Sequence, residues 1–195
     1  MEAVPVSRMT ANEREELRAL LHERSFRFGD FVLASGRRST FYFDGRQVTL
    51  SGRGAYLIGK AILDRCRDLD IRAVGGLTLG ADPIAAAVAT LSGADGEVPI
   101  QAFIVRKEAK GHGVGKLIAG PALEPGMRTA IVDDVITSGG SFITAVDEAV
   151  AAGATVVEAI AIFDREEGGR EALEARSIPL HALFLRSEFP APSLP

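Results

Sequence analysis

The stretch that most constrains this chain runs from Arg128 to Ser141. Thr129-Ala130-Ile131-Val132 is a short apolar run, with the length and β-branched content of a buried parallel strand. Two carboxylates, Asp133 and Asp134, follow where the strand is expected to end. Thr137-Ser138-Gly139-Gly140-Ser141 comes next, and Phe142 to Ala152 has a helical pattern. A strand, a loop of small residues and a helix N-terminus together form an anion cradle. Loop N–H groups converge on the anion, and the helix dipole places about half a positive charge there. The missing lysine excludes the nucleoside-triphosphate loop G-x-x-x-x-G-K-[ST]. Adjacent carboxylates repel a bare anion, but they suit a ligand that carries a sugar beside its phosphate. The alternative is that Asp133 and Asp134 only cap a turn.

The wording Val132-Asp133-Asp134-Val135-Ile136-Thr137-Ser138-Gly139-Gly140-Ser141 resembles the phosphoribosyl diphosphate motif of type I phosphoribosyltransferases. The resemblance implies that Asp133 and Asp134 hold the ribose hydroxyls and that the stretch from Val135 to Ser141 binds the 5-phosphate.

Elsewhere in the chain, strands alternate with helices. Helices are expected from Thr10 to about Ser25, Arg53 to Leu69, Asp82-Pro83 onward, and Gly169 to Arg176. Strands are expected at Ile71–Gly75, Ile100–Val105, Thr155–Phe163 and Pro179–Leu185, with an aromatic hairpin between Phe26 and Leu50. This order predicts an α/β fold with a mainly parallel sheet flanked by helices and a small N-terminal hood. At 195 residues the chain has the length of one domain, with a hood over residues 1–50 and a core over 51–188. Ligands of such sheets bind beyond the carboxyl ends of the strands. Gly76–Gly80, Arg106–Gly120, Asp133–Ser141 and Asp164-Arg165 are all expected at that end.

The net charge of −4 argues against nucleic acid as the main partner. No apolar run reaches the roughly 18 residues of a membrane span, and Met1-Glu2-Ala3 lacks a basic leader. A single cysteine, Cys66, fits a reducing cytoplasm and reads as buried filler.

Arg106-Lys107-Glu108-Ala109-Lys110-Gly111-His112-Gly113-Val114-Gly115-Lys116 places four fixed cations and a histidine among spaced glycines. Taken alone it is either a solvated loop or a lid over a charged leaving group. RKEAKGHG resembles the catalytic loop of orotate phosphoribosyltransferases. That likeness implies that Arg106, Lys107, Lys110 and His112 contact the diphosphate, Lys110 and His112 from the neighbouring subunit of a homodimer. Ser35 to Asp44 is similar to the hood segment of the same enzymes, where the residues matching Tyr42 and Phe43 cover the orotate ring. On residue type alone it is equally a packed aromatic strand. Phe163-Asp164-Arg165-Glu166-Glu167-Gly168-Gly169 resembles their DRxExG element, whose arginine binds the pyrimidine carboxylate, a fork-to-carboxylate match. Thr137 is expected beside the base as well.

Some relatives carry lysines where this chain has Ala34 and Gly80. The expected ligands in GGLTLGADP are therefore Thr78 and the backbone of Leu79 and Gly80. The resemblance implies orotate and phosphoribosyl diphosphate as substrates and Mg²⁺ held mainly by substrate, near Asp133 and Asp134. A purine phosphoribosyltransferase and a non-catalytic sensor of phosphoribosyl diphosphate are the alternatives.

Overall fold

The computed structural model describes residues 5–32, 38–95, 98–108 and 117–189. Helix α1 (Ala11–Ser25) starts in a capping box. Thr10 Oγ1 accepts from the Glu13 N–H at 3.2 Å, and Glu13 Oε2 accepts from the Thr10 N–H at 2.9 Å. Strands β1 (Phe26–Val32) and β2 (Arg38–Phe43) pair antiparallel as the expected hairpin. Short α2 (Arg46–Thr49) and long α3 (Gly52–Asp68) lead to β3 (Ala73–Leu77), α4 (Ala81–Ala94) and β4 (Gln101–Val105). After β5 (Ile118–Ala119) come β6 (Arg128–Ile136), α5 (Gly140–Ala151), β7 (Thr155–Asp164), α6 (Gly169–Glu174) and β8 (Leu180–Leu185). The main sheet has the order β5-β4-β3-β6-β7-β8 and is parallel except where β5 meets β4.

Both faces of this sheet are buried, which explains the continuous apolar strands. Val74, Ala130, Val132, Ile160 and Ile162 join α1, α3 and α4 in one cluster. Their alternate neighbours Ala73, Ile131, Ala159 and Ala161 join α5 in the other. The hairpin is welded to the first cluster by aromatic rings. Phe26 packs edge-on to Phe163 at 5.1 Å and stacks on Phe189 at 4.7 Å. Cys66 lies in the same cluster, where burial pushes its thiol up to about 12, the state of inert filler. Among the described residues, no helix is long and apolar enough to cross a membrane.

Two local expectations change. Strand β6 does not stop at Val132, because Asp133 still pairs with Ala161 and Ile136 with Asp164. The β-branched Val135 and Ile136 carry the strand on past the carboxylates. Helix α4 begins at Ala81, one residue before the expected start at Asp82-Pro83, so Asp82 sits inside its first turn and accepts from Thr78 Oγ1 at 2.7 Å.

Candidate active site

The chain leaves β3 toward β4 on one side of the sheet and β6 toward β7 on the other. The strand order therefore reverses between β3 and β6, where open α/β sheets bind ligands. The two strands pair only from Ala73–Thr129 to Gly75–Ile131. Beyond that point β3 stays with β4 as far as Leu77–Val105, and β6 stays with β7. The opening between them is where Asp133 and Asp134 sit. They line a cleft of about 350 Å³ with Tyr42, Asp44, Arg46, Thr78, Gly80, Lys107 and Ser141.

Two glycines press on the acidic pair. A Cβ at Gly80 would lie 2.0 Å from Asp133 Oδ1, and one at Gly45 would lie 2.7 Å from Asp134 Oδ2. The carboxylates are thus clamped between the loop after β3 and the turn after β2. Asp133 Oδ1 also accepts from the Asp134 N–H at 2.9 Å, and Ser141 lines the same cleft. Burial, and then the charge of Asp134, pushes the Asp133 carboxyl up to about 7. Burial raises Asp134 as well.

That shift has a consequence for stability. The folded Asp133 holds its proton more tightly than an unfolded aspartate, so unfolding free energy falls as pH rises from roughly 4 through about 7. Asp133→Asn cannot ionise. The ligand-free variant is expected to melt several degrees above the wild type at pH 8 and to match it near pH 4; about 1 kcal/mol moves a chain of this size by roughly 2–4 °C. Calorimetry at the two pH values decides it, and an equal difference at both would refute the assignment.

The anion cradle is formed as the residue types require. Gly139 adopts a left-handed conformation at φ 84°, and no side chain caps α5. The first N–H groups of that helix are therefore open to a ligand beside Thr137, Ser138, Gly140 and Ser141. Helix α6 braces the loop from behind: a Cβ at Gly169 would lie 2.7 Å from the Thr137 carbonyl oxygen. Val135 lines the cleft, whereas Ile136 is buried. Thr78, Leu79 and Gly80 form the opposite wall, with a cis peptide between Thr78 and Leu79. Lys107 lines the same cleft. The backbone N–H of Arg106 donates to the Leu117 carbonyl at 2.9 Å, which joins the two ends of the basic loop. Lys110 and His112 lie outside the described residues, as do residues 33–37 of the hood.

Residues Tyr42 and Phe43 point to opposite faces of the hairpin. Tyr42 is 42% exposed, whereas Phe43 is buried and stacks on Phe163 at 4.3 Å. Period-two alternation makes this unavoidable, so the Phe43 ring serves the core even though the residue borders the cleft. Arg165 does not line the cleft. Its guanidinium packs over the Phe41 ring at 4.3 Å and donates to Glu167 at 2.8 Å and Ser39 at 3.3 Å. Gly45 and Arg46 were not singled out by sequence, and Asp44 entered only as the last residue of the hood segment; the signal available for the other two was a Gly between two charged residues directly after the aromatic strand.

An open sheet with an acidic pair at its switch point, an uncapped helix beside it and a lysine, Lys107, on the cleft wall defines the type I phosphoribosyltransferase fold. No protein-family model matches the chain. It is 47% identical over 179 residues to an orotate phosphoribosyltransferase of Aquifex aeolicus, an alignment covering 90% of this chain and 97% of that one. The orotate phosphoribosyltransferase of Mycobacterium tuberculosis H37Rv, crystallised with Fe(III) dicitrate, superposes with a TM-score of 0.81. It is 37% identical, over 92% of this chain and 99% of that one. A crystal structure of the M. tuberculosis enzyme with 5-phospho-α-D-ribosyl 1-diphosphate gives 0.75 at 35% identity, over 91% and 98%. The chain belongs to the orotate phosphoribosyltransferase family. It is a pentosyltransferase of pyrimidine synthesis that converts orotate and phosphoribosyl diphosphate to orotidine 5′-monophosphate and diphosphate. The purine and sensor alternatives are not favoured.

Proposed function

We propose that the whole chain works as one catalytic domain, with a hood over residues 1–50 on a core over 51–188, and that the cleft between β3 and β6 holds phosphoribosyl diphosphate. The observation that carries this reading is the clamped acidic pair beside the open N-terminus of α5. Asp133 and Asp134 accept from the ribose hydroxyls. Val135, Ile136, Thr137, Ser138, Gly139, Gly140 and Ser141 hold the 5-phosphate through backbone and hydroxyl donors. Thr78, Leu79 and Gly80, with Arg106, Lys107, Lys110 and His112, receive the diphosphate. Tyr42, Thr137 and Arg165 position orotate, and Phe43 borders it through its backbone while its ring stays in the core.

The reaction is a displacement at the anomeric carbon. The orotate ring nitrogen attacks as the bond to diphosphate breaks, with an oxocarbenium-like ribose between. No side-chain nucleophile is required. The chain contributes alignment of the two substrates and cations placed where negative charge accumulates on the departing diphosphate.

Mg²⁺ fits the donor set. This cation takes oxygen ligands and is commonly held by one or two carboxylates together with substrate phosphates. Among the described residues, no group of three or more His, Cys, Asp or Glu could hold a metal by itself. Asp133 and Asp134 would share the ion with substrate oxygens, and it would neutralise part of the diphosphate charge. The enzyme works in the cytoplasm as a homodimer whose sites share Lys110 and His112. A lone buried cysteine agrees with a reducing compartment.

Arg165 tests the base-binding side. Among the described residues, its Nε is spent on Glu167 and one terminal nitrogen on Ser39, which aligns the guanidinium edge and leaves donors for a carboxylate. Arg165→Ala is expected to raise the KM for orotate at least tenfold, the scale of about 1.5–3 kcal/mol for a charged hydrogen bond. The KM for phosphoribosyl diphosphate should move much less. Steady-state kinetics with orotate, uracil, hypoxanthine and xanthine measures both this and base selection; equal rises in the two constants would sink the assignment.

A further inference from the structure

Cations should face the diphosphate, yet three of the residues lining the cleft are aspartates: Asp44, Asp133 and Asp134. Among the described residues, its cationic lining consists of Lys107 and Arg46. Position 80 can supply none, since even a Cβ there meets Asp133.

Arg46 is held in an unusual way. Its Nε donates to Asp44 Oδ1 at 2.7 Å, and its own backbone N–H donates to the same oxygen at 3.2 Å. Asp44 is itself fixed, because its N–H donates to the Ser25 carbonyl and its Oδ2 accepts from Gln47. The two terminal nitrogens of Arg46 make no hydrogen bond among the described residues, and the side chain is 49% exposed. Gly45 brings this turn into contact with Asp134, and the half-exposed Arg46 side chain lines the cleft, where its charge favours the ionised Asp134 carboxylate. An arginine anchored through Nε, with four N–H donors unspent, has lost most of its rotamer freedom before the ligand arrives.

We propose that Arg46 is a substrate-binding residue of this reaction, whose terminal N–H groups grip the diphosphate across the cleft from Lys107 and the Thr78–Gly80 wall. The substrate's other anions have other hosts: the 5-phosphate goes to the start of α5 and the orotate carboxylate to Arg165. A planar fork matches phosphate oxygens with paired hydrogen bonds. The inference rests on the reading that this cleft holds phosphoribosyl diphosphate.

The test is titration of inorganic pyrophosphate, in the presence of magnesium, into wild type, Arg46→Gln and Arg46→Lys, with KM values for both substrates. Arg46→Gln should weaken pyrophosphate binding about tenfold or more and raise the KM for phosphoribosyl diphosphate to match. The KM for orotate should stay within about twofold. Arg46→Lys should recover part of the loss, since it restores the charge without the fork. A purely structural Arg46 would move both KM values together and lower the melting temperature. Wild-type affinity for pyrophosphate in Arg46→Gln, or an equal rise in the orotate KM, overturns the role of Arg46 alone. Wild-type protein that binds no pyrophosphate overturns the site reading as well.

Discussion

Lys110→Ala is expected to lower turnover by roughly 10²–10³, the scale for removing one preorganised donor that stabilises developing charge. The substitution should leave the melting temperature unchanged, because the polar, glycine-rich sequence around Lys110 offers a hydrophobic core little to bury. The decisive form of this experiment mixes Lys110→Ala with the double variant Asp133→Asn, Asp134→Asn. If Lys110 serves its own subunit, a mixed dimer contains no complete site. If it reaches the partner's site, one of the two sites receives Lys110 from one chain and both aspartates from the other. Random exchange makes about half the dimers mixed, so activity should return to about a quarter of wild type. A mixture that stays inactive, with exchange verified by native mass spectrometry, would refute the shared site.

The double variant Asp133→Asn, Asp134→Asn carries the second large effect. Each side chain keeps its shape and one carbonyl acceptor, so the contacts with Gly45, Gly80 and the Asp134 N–H survive. What disappears is the anionic acceptor for ribose and any share in the metal. Two charged hydrogen bonds at about 1.5–3 kcal/mol each correspond to a roughly 10²–10⁴-fold loss of affinity. Calorimetric titration should therefore show magnesium-dependent phosphoribosyl diphosphate binding vanishing from a protein that is at least as stable as wild type at pH 8. Removing a buried, mutually repelling pair should stabilise the fold while abolishing function, the trade expected of a site under strain. Unchanged affinity would reduce the pair to the turn caps that their residue type alone also allows.

Much of this was legible in the chain. The strand–loop–helix unit around Asp133 and the order of strands and helices rest on local patterns, alternation and glycine or hydroxyl chemistry within ten residues of one another. The carboxylates themselves misled: polar residues read as a strand's end, yet β6 continues to Ile136 because β7 still pairs with it. Similarly, two adjacent aromatics at 42 and 43 read as one cover for a ring, whereas the strand's pleat sends Phe43 into the core.

Tertiary structure alone decided how the site is assembled. The parting of β3 from β6 after Gly75 depends on the register of three strands. Gly45 meets Asp134 across almost half the chain, and Ser39 meets Arg165 across 126 residues. Asp44 anchors Arg46 from only two residues away, but the position of Arg46 on the cleft wall and the burial that raises the Asp133 carboxyl both require the folded sheet. A local pattern specifies which residue types can bind a phosphate or a sugar. The distance between them, and the proton one of them keeps, belong to contacts that exist only once the sheet has formed.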